Sequence, residues 1–469
     1  MKKNFLAMTA LAAMLFAGCT SSDEITTLES IKQAENAPAP ISFGTYMGKT
    51  GTRAVPAGGY VGNMTTSTLQ SGADYGFGVF AYYTSSTAWN SLVPKIQPNF
   101  MYNQQVYYDA SKWTYSPIKY WPNDNATADN AGATGNGASK VSFFAYAPYT
   151  NAASSTGITG FSANTNLGDP WVTYALAGNN DGQEVDLLWG TADESLNING
   201  TTQGNGTPTG ILSGYKVNID MTKQKTNETV SSSDDNRVKF NFKHALAMFG
   251  GNDNSFTIIA DIDNAGAVSG GSFEVVGGKK NTKVTLKSIR IENSTDKLKK
   301  SGKFHLETGV WDDLTGELVF NVARSYDDAT QYLNASIIEP DASTVSGWKT
   351  TWSDTEYIKA DAAQNIFATG KAPQFFFIPG TTPKFDITVC YVVRTQDSNL
   401  ADKFTEIEQT IKKTVTFGAA AALNKKYGLA IHLGLTTVKF TATVSDWDNA
   451  DASPSSPTQV DLPINVANP

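Results

Sequence analysis

The side chains that could do chemistry in this sequence are few and scattered. Three histidines (His244, His305 and His432) and two cysteines (Cys19 and Cys390) serve a chain of 469 residues. That is too little nitrogen and sulfur for a zinc centre or a cysteine-rich module. No Gly-x-Ser-x-Gly, Cys-x-x-Cys or His-Glu-x-x-His occurs, so the familiar arrangements for acyl transfer, thiol exchange and zinc hydrolysis are missing. Gly48-Lys49-Thr50 imitates the end of a phosphate loop, but Phe43 stands where the first glycine belongs and no helical pattern follows. The carboxylate pairs Asp312-Asp313 and Asp327-Asp328 read as solvated turns. Asp261 to Gly266 spaces its oxygens like a calcium loop, yet Ser272 replaces the glutamate such a loop ends on. The sequence thus predicts no catalytic residue, no metal and no cofactor. Chemistry done to the chain is another matter. Of its five arginines, Arg237, Arg290, Arg324 and Arg394 lie in or beside strand-like runs, whereas Arg53, followed by Ala54, sits in a Gly, Thr, Ala and Pro loop of the kind proteases nick.

Cys19 is the second such residue. It follows Ala17-Gly18 at the end of an apolar run from Phe5 to Phe16, with Lys2 and Lys3 ahead of it. A basic start, a short apolar stretch and small residues before a break make an export signal, and 12 residues are too few for a helix to cross a hydrocarbon core of about 30 Å. Small residues directly before a cysteine match a lipobox, in which the thiol becomes the acylated first residue; Phe16 stands where leucine is usual. With Cys19 acylated, Cys390 has no disulfide partner and is expected as a buried, inert thiol. No later segment reaches the ~18 continuous apolar residues of a membrane span.

Composition narrows the class further. At 40% hydrophobic and 17% charged residues the chain is too apolar for disorder. A net charge of -8, from 36 basic and 44 acidic side chains, argues against nucleic acid, whose affinity rests on lysine and arginine. The dominant pattern has period two: Tyr75, Phe77 and Val79; then Phe385, Ile387, Val389, Tyr391 and Val393; then Leu429, Ile431 and Leu433. Such alternation is a strand with one buried face. Helical patterning is confined to 244–249 and 356–367, so the expected class is mainly β with a few short helices. His244 reads as packed and His432 as exposed.

Residues 20–40 read as a polar tether, after which Ile41 and Phe43 mark one face of a short strand. The polar stretch 222–236, followed by fresh alternation from Val238, suggests a domain boundary. Near the end, Val460, Leu462, Ile464 and Val466 alternate with Asp461, Pro463 and Asn465. Trp113, Tyr115, Tyr120 and Trp121, with Tyr102, Tyr107 and Tyr108, could stack on sugars or fill a core.

Several blocks together resemble the fimbrillin family, the outer-membrane pilins of type V pili. They are the lipobox at Cys19; Ile41-Ser42-Phe43 followed by Thr52-Arg53-Ala54; residues 141–149; Asp186-Leu187-Leu188-Trp189-Gly190; residues 238–247; Phe376-Phe377-Ile378-Pro379-Gly380; residues 426–435; and Val444-Ser445-Asp446-Trp447. The resemblance implies two transthyretin-like antiparallel β-sandwich domains and an assembly cycle of lipoprotein export, removal of the first strand after an arginine, and filling of the vacated groove by another subunit's strand. It divides the chain into a signal peptide (1–18), a lipidated tether with removable first strand (19–53), an N-terminal domain (54–232), a C-terminal domain (233–457) and a donor strand (458–469). The implied partners are other pilus subunits, an Arg-specific protease, the outer membrane through a fatty acid (palmitate) on Cys19, and a ligand on a host or bacterial surface. A monomeric, anchored glycan-binding lipoprotein is the competing expectation.

Overall fold

The computed structural model describes residues 40–46, 69–70, 76–85, 87, 89–109, 112–120, 140–151, 156–178, 184–192, 197–198, 201–202, 219–221, 237–260, 282–294, 298–338, 356–360, 362–396, 399–400, 404–434, 438–446, 460–462 and 465–466. The fold is mainly β. The first half contributes β1 (Ser42–Tyr46), β2 (Phe77–Ser85), β3 (Met101–Asp109), β4 (Lys112–Thr114), β5 (Lys140–Ala147), β6 (Gly157–Phe161), β7 (Trp171–Ala175), β8 (Leu188–Ala192), β9 (Asn197–Ile198), β10 (Thr201–Thr202), β11 (Ile219–Met221) and β12 (Arg237–His244). The second half contributes β13 (Ala247–Gly250), β14 (Phe256–Ala260), β15 (Thr282–Asn293), β16 (Lys299–His305), β17 (Trp311–Glu317), β18 (Asn321–Ser325), β19 (Gln364–Asn365), β20 (Gln374–Phe377), β21 (Lys384–Gln396), β22 (Phe404–Thr416), β23 (Lys425–Leu433), β24 (Val438–Asp446), β25 (Val460–Leu462) and β26 (Asn465–Val466).

The two helices expected at 244–249 and 356–367 do not form. His244 ends β12, Ala247–Gly250 is β13, and the described residues of the second segment are irregular apart from β19. The apolar run misleads because β13 lies between β20 and β23 with all four residues buried. A strand apolar on both faces loses the alternation that distinguishes it from a helix. Among the described residues no helix is long and apolar enough to cross a membrane.

The first large sheet runs β1-β12-β8-β5-β2-β3-β4, with β11 also on β5. It too is covered on both faces. Phe77, Val79 and Ala81 of β2 enter one apolar cluster with Phe43, Phe143 and Phe240, while Phe80 and Tyr82 enter the other. The sheet curls until its ends meet, because the Ile41 amide donates to the Lys119 carbonyl at 2.9 Å and Pro40 bridges Tyr120 just beyond β4. The strand beginning near Val238, where the sequence suggested a fresh domain, is β12 and pairs with β1 and β8 in this first sheet. Fresh alternation announces a new strand, and by itself it does not say which sheet the strand joins.

Two further sheets pack face to face in the second half. One is β19-β14-β23-β13-β20 with β24 and β25 attached, and the other is β18-β15-β21-β22-β26. Phe249 of β13 stacks on Phe385 of β21 at 4.4 Å, and Phe320 stacks on Phe375 of β20 at 4.4 Å. A four-stranded sheet, β17-β16-β7-β6, draws two strands from each half. One apolar cluster consequently runs from Phe80 to Ala442.

Candidate functional site

The site is built around β1. Its alternation places Ile41 and Phe43 inward, each only 1% exposed. The strand lies parallel to β12, with Phe43 opposite Val238 and Thr45 opposite Phe240. Phe43 meets Tyr115 at 5.3 Å and Phe77 and Phe143 at 6.0 Å, all edge to face, and stacks on Phe240 at 6.2 Å. The Tyr115 hydroxyl donates to the Ile41 carbonyl at 2.9 Å and accepts from the Lys119 amide at 3.2 Å. Burial pushes that phenol up to about 12, so it stays a donor across the physiological range. Two buried side chains at about 1.5 to 3 kcal/mol each and one parallel ladder thus hold the strand. Without it, one edge of β12 and an aromatic-lined pocket would be open to water.

The C-terminal segment bridges two sheet edges of its own chain. β25 pairs with β24, setting Val460 opposite Val444 and Leu462 opposite Ala442. β26 pairs with the end of β22, setting Val466 opposite Val415 and Asn465 opposite Thr416. Ile464, between them, lies outside the described residues, as do Cys19, Arg53 and Ala54.

The aromatic platform is not assembled as an open face. Trp113 and Tyr115 are buried in the cluster beneath β1, and Tyr108 packs on Trp113 at 5.3 Å. Tyr102 donates to the Ser162 carbonyl at 2.9 Å and leans on Phe80 and Phe161. Tyr120 is exposed, and Trp121 lies outside the described residues. Trp113 and Tyr115 serve core packing because β3 and β4 close the curled sheet. Cys390 is a buried free thiol 3.4 Å from Glu408 Oε1, with its pKa raised by burial.

Sequence reasoning missed a polar junction between the halves. Asp312 and Asp313 lie within β17 rather than in a turn, with Asp313 in the left-handed region at φ 47°. His305, at the end of β16, hydrogen-bonds through Nδ1 to Asp169, and its Nε2 lies 2.8 Å from Asp312 Oδ2. Those bonds, Asp169 first, raise its pKa and occupy both ring nitrogens. Beside it, the Trp189 indole donates to the Leu306 carbonyl at 2.9 Å and the Trp311 indole to the Ala245 carbonyl at 2.8 Å. Asp169 and His305 are 136 positions apart, so no local signal could have joined them. His244 is buried as expected, its Nδ1 2.8 Å from Asp186 Oδ2. Asp327 and Asp328 do sit at a turn, where Asp328 accepts from the Ser325 amide at 2.8 Å.

Together these features define a mainly β scaffold whose first strand closes a curled sheet and whose last strands sit on open sheet edges. The chain is similar to a protein described as fimbrium subunit Fim1C of Phocaeicola vulgatus, with 25% identity over 403 residues covering 83% of this chain and 86% of the relative. In fold it is similar to the crystal structure of a fimbrial protein from Bacteroides vulgatus, at TM-score 0.53 and 19% identity, covering 87% of this chain and 99% of that one. A cell adhesion protein structure from Bacteroides uniformis aligns at TM-score 0.35 and 12% identity, covering 87% and 99%. No family model matches. The fimbrillin resemblance carried by the sequence blocks therefore has a homologue of that kind behind it.

Proposed function

We propose that this chain is a structural subunit of a cell-surface pilus that assembles by strand exchange and supports adhesion. The observation that carries the reading is β1: a five-residue edge strand that fills an aromatic pocket and is followed in sequence, through residues 47–52, by Arg53 among Gly, Thr, Ala and Pro. Cleavage between Arg53 and Ala54 by an Arg-specific protease would separate β1, the tether and the lipid on Cys19 from the rest. An open edge over an apolar pocket recruits another strand. The donor is the alternating segment Val460, Leu462, Ile464 and Val466 of a neighbouring copy, and giving and receiving at different ends joins subunits head to tail. Before cleavage the chain is an outer-membrane lipoprotein, and afterwards part of a cell-surface fimbrium, bound for a ligand on a host or bacterial surface. Two sandwich domains carry these ends, and on sheet membership β12 belongs with the first. The similarity to a fimbrium subunit supports the reading.

The experiment treats the exported chain with an Arg-specific protease and runs it unboiled on a gel. A ladder of oligomers is expected, lost in Arg53→Ala and on deleting residues 458–469. A monomer throughout would favour the anchored glycan-binding reading, which the burial of Trp113 and Tyr115 weakens.

A further inference from the structure

β22 is 13 residues long and pairs with β21 along its whole length. On its outer side β26 covers Val415 and Thr416, and among the described residues no strand pairs with the stretch from Thr405 to Thr414. A long open edge is an invitation to another strand unless something blunts it. Here the charges do not repeat one sign. Glu406 and Glu408 stand near one end and Lys412 and Lys413 near the other, with Ile407, Gln409 and Ile411 between. Ile407 is 56% exposed, while Ile411 packs against the core.

We propose that two copies of this chain join edge to edge through β22, antiparallel about a two-fold axis at Gln409. Antiparallel pairing about that residue sets Ile407 of one copy against Ile411 of the other, and Glu406 against Lys412, each twice by symmetry. The adjacent two-fold registers match the apolar residues less well. Centring on Thr410 keeps a charge pair, Glu408 against Lys412, but opposes Ile407 to Lys413, and centring on Glu408 opposes Ile407 to Gln409 and Glu408 to its own copy.

The existing ion pairs point the same way. Across the sheet Arg394 meets Glu406 at 2.7 Å, Lys287 meets Glu408 at 2.5 Å, and Lys412 meets Asp386 and Glu292 at 3.3 Å. These pairs hold the edge side chains over one face. Joining two edges about Gln409 would continue the row with alternating sign, as Arg394, Glu406, then Lys412 and Asp386 of the second copy. Ile407 would gain a covering neighbour on the opposite face. The pairing needs neither cleavage nor strand exchange, so it is a lateral contact distinct from head-to-tail joining.

Cysteine scanning in the full chain tests it. Single substitutions at Thr405, Ile407, Gln409, Ile411 and Lys413 are oxidised mildly, Cys19 and Cys390 being common to all. Disulfide-linked dimer should peak at Gln409→Cys, where two copies of one residue face each other, and fall several-fold towards Thr405→Cys and Lys413→Cys. Mixing Ile407→Cys with Ile411→Cys should give more dimer than either alone, which guards against disturbance at Gln409, whose side chain accepts from Tyr391. A flat profile, no dimer, or a mixture no better than its components would overturn the proposal. Arg53→Ala should leave the profile unchanged, and its loss there would overturn the claim that the contact is independent of assembly.

Discussion

Phe43 lies stacked on Phe240 with ring planes 11° apart, although the two residues sit on parallel strands from opposite ends of the first sheet's sequence. The stacking seats the buried Phe43 ring of β1 within the aromatic cluster of the first sheet. Phe43→Ala removes a buried aromatic whose loss typically costs about 3 to 5 kcal/mol. We expect that cost in the uncut chain. After cleavage at Arg53 and departure of β1, variant and parent should unfold alike. Denaturant titration of both forms checks this, and an equal penalty in the cut form would mean that β1 stays.

A second prediction concerns His305. Hydrogen bonds to Asp169 and then Asp312 raise its folded pKa above the ordinary value. Glu307 and Lys95 also face the junction, 3.7 Å apart, and Lys303 pairs with Asp313 beside it. A raised histidine pKa contributes stability that is complete below the unfolded value of about 6.5 and is lost as pH rises through the folded value. The parent should therefore lose stability relative to His305→Gln as pH rises above about 6.5. Melting curves of the two proteins at several pH values measure the difference, and parallel curves would contradict it.

The third prediction rests on the loop between β16 and β17. Gly309 has φ +66°, and a Cβ there would lie 2.3 Å from the Trp189 ring, whose indole is fixed by Leu306. Gly309→Ala should cost about 2 to 4 kcal/mol, combining left-handed strain with overpacking. Gly370 has a similar φ of +71° with nothing within 4 Å, so Gly370→Ala should cost only about 1 to 2 kcal/mol. Chemical denaturation of both variants separates the clash from the backbone strain.

That junction also marks how far the sequence could be read. The alternation of Phe385, Ile387, Val389, Tyr391 and Val393 announces β21, and all five side chains are buried. Ile41 and Phe43 likewise declare a strand with one inward face. Their partners are another matter: nothing local says that β1 runs parallel to β12 or that Tyr115 caps it. β16 and β17 carry Lys299-Lys300-Ser301 and Asp312-Asp313 because they form an outer hairpin on β7, so their polar pattern reads as loop. Two-sided burial hides β13 for the opposite reason.

The last prediction concerns the tail. Val460 faces Val444 in an antiparallel register, where facing Cβ atoms lie about 4.5 to 5.5 Å apart, near the reach of a disulfide after small adjustment. A chain carrying Val444→Cys and Val460→Cys, once oxidised, has its tail covalently held on its own β24. If that tail is the strand passed to a neighbour, Arg-specific cleavage of the oxidised protein should yield only monomers. Adding a reductant should restore the ladder, and neither single variant should show the block. The unboiled gel reads all of these. A ladder from the oxidised double variant would mean that subunits join through some other segment, and the four alternating aliphatic residues would then be simply the closing strands of their own domain.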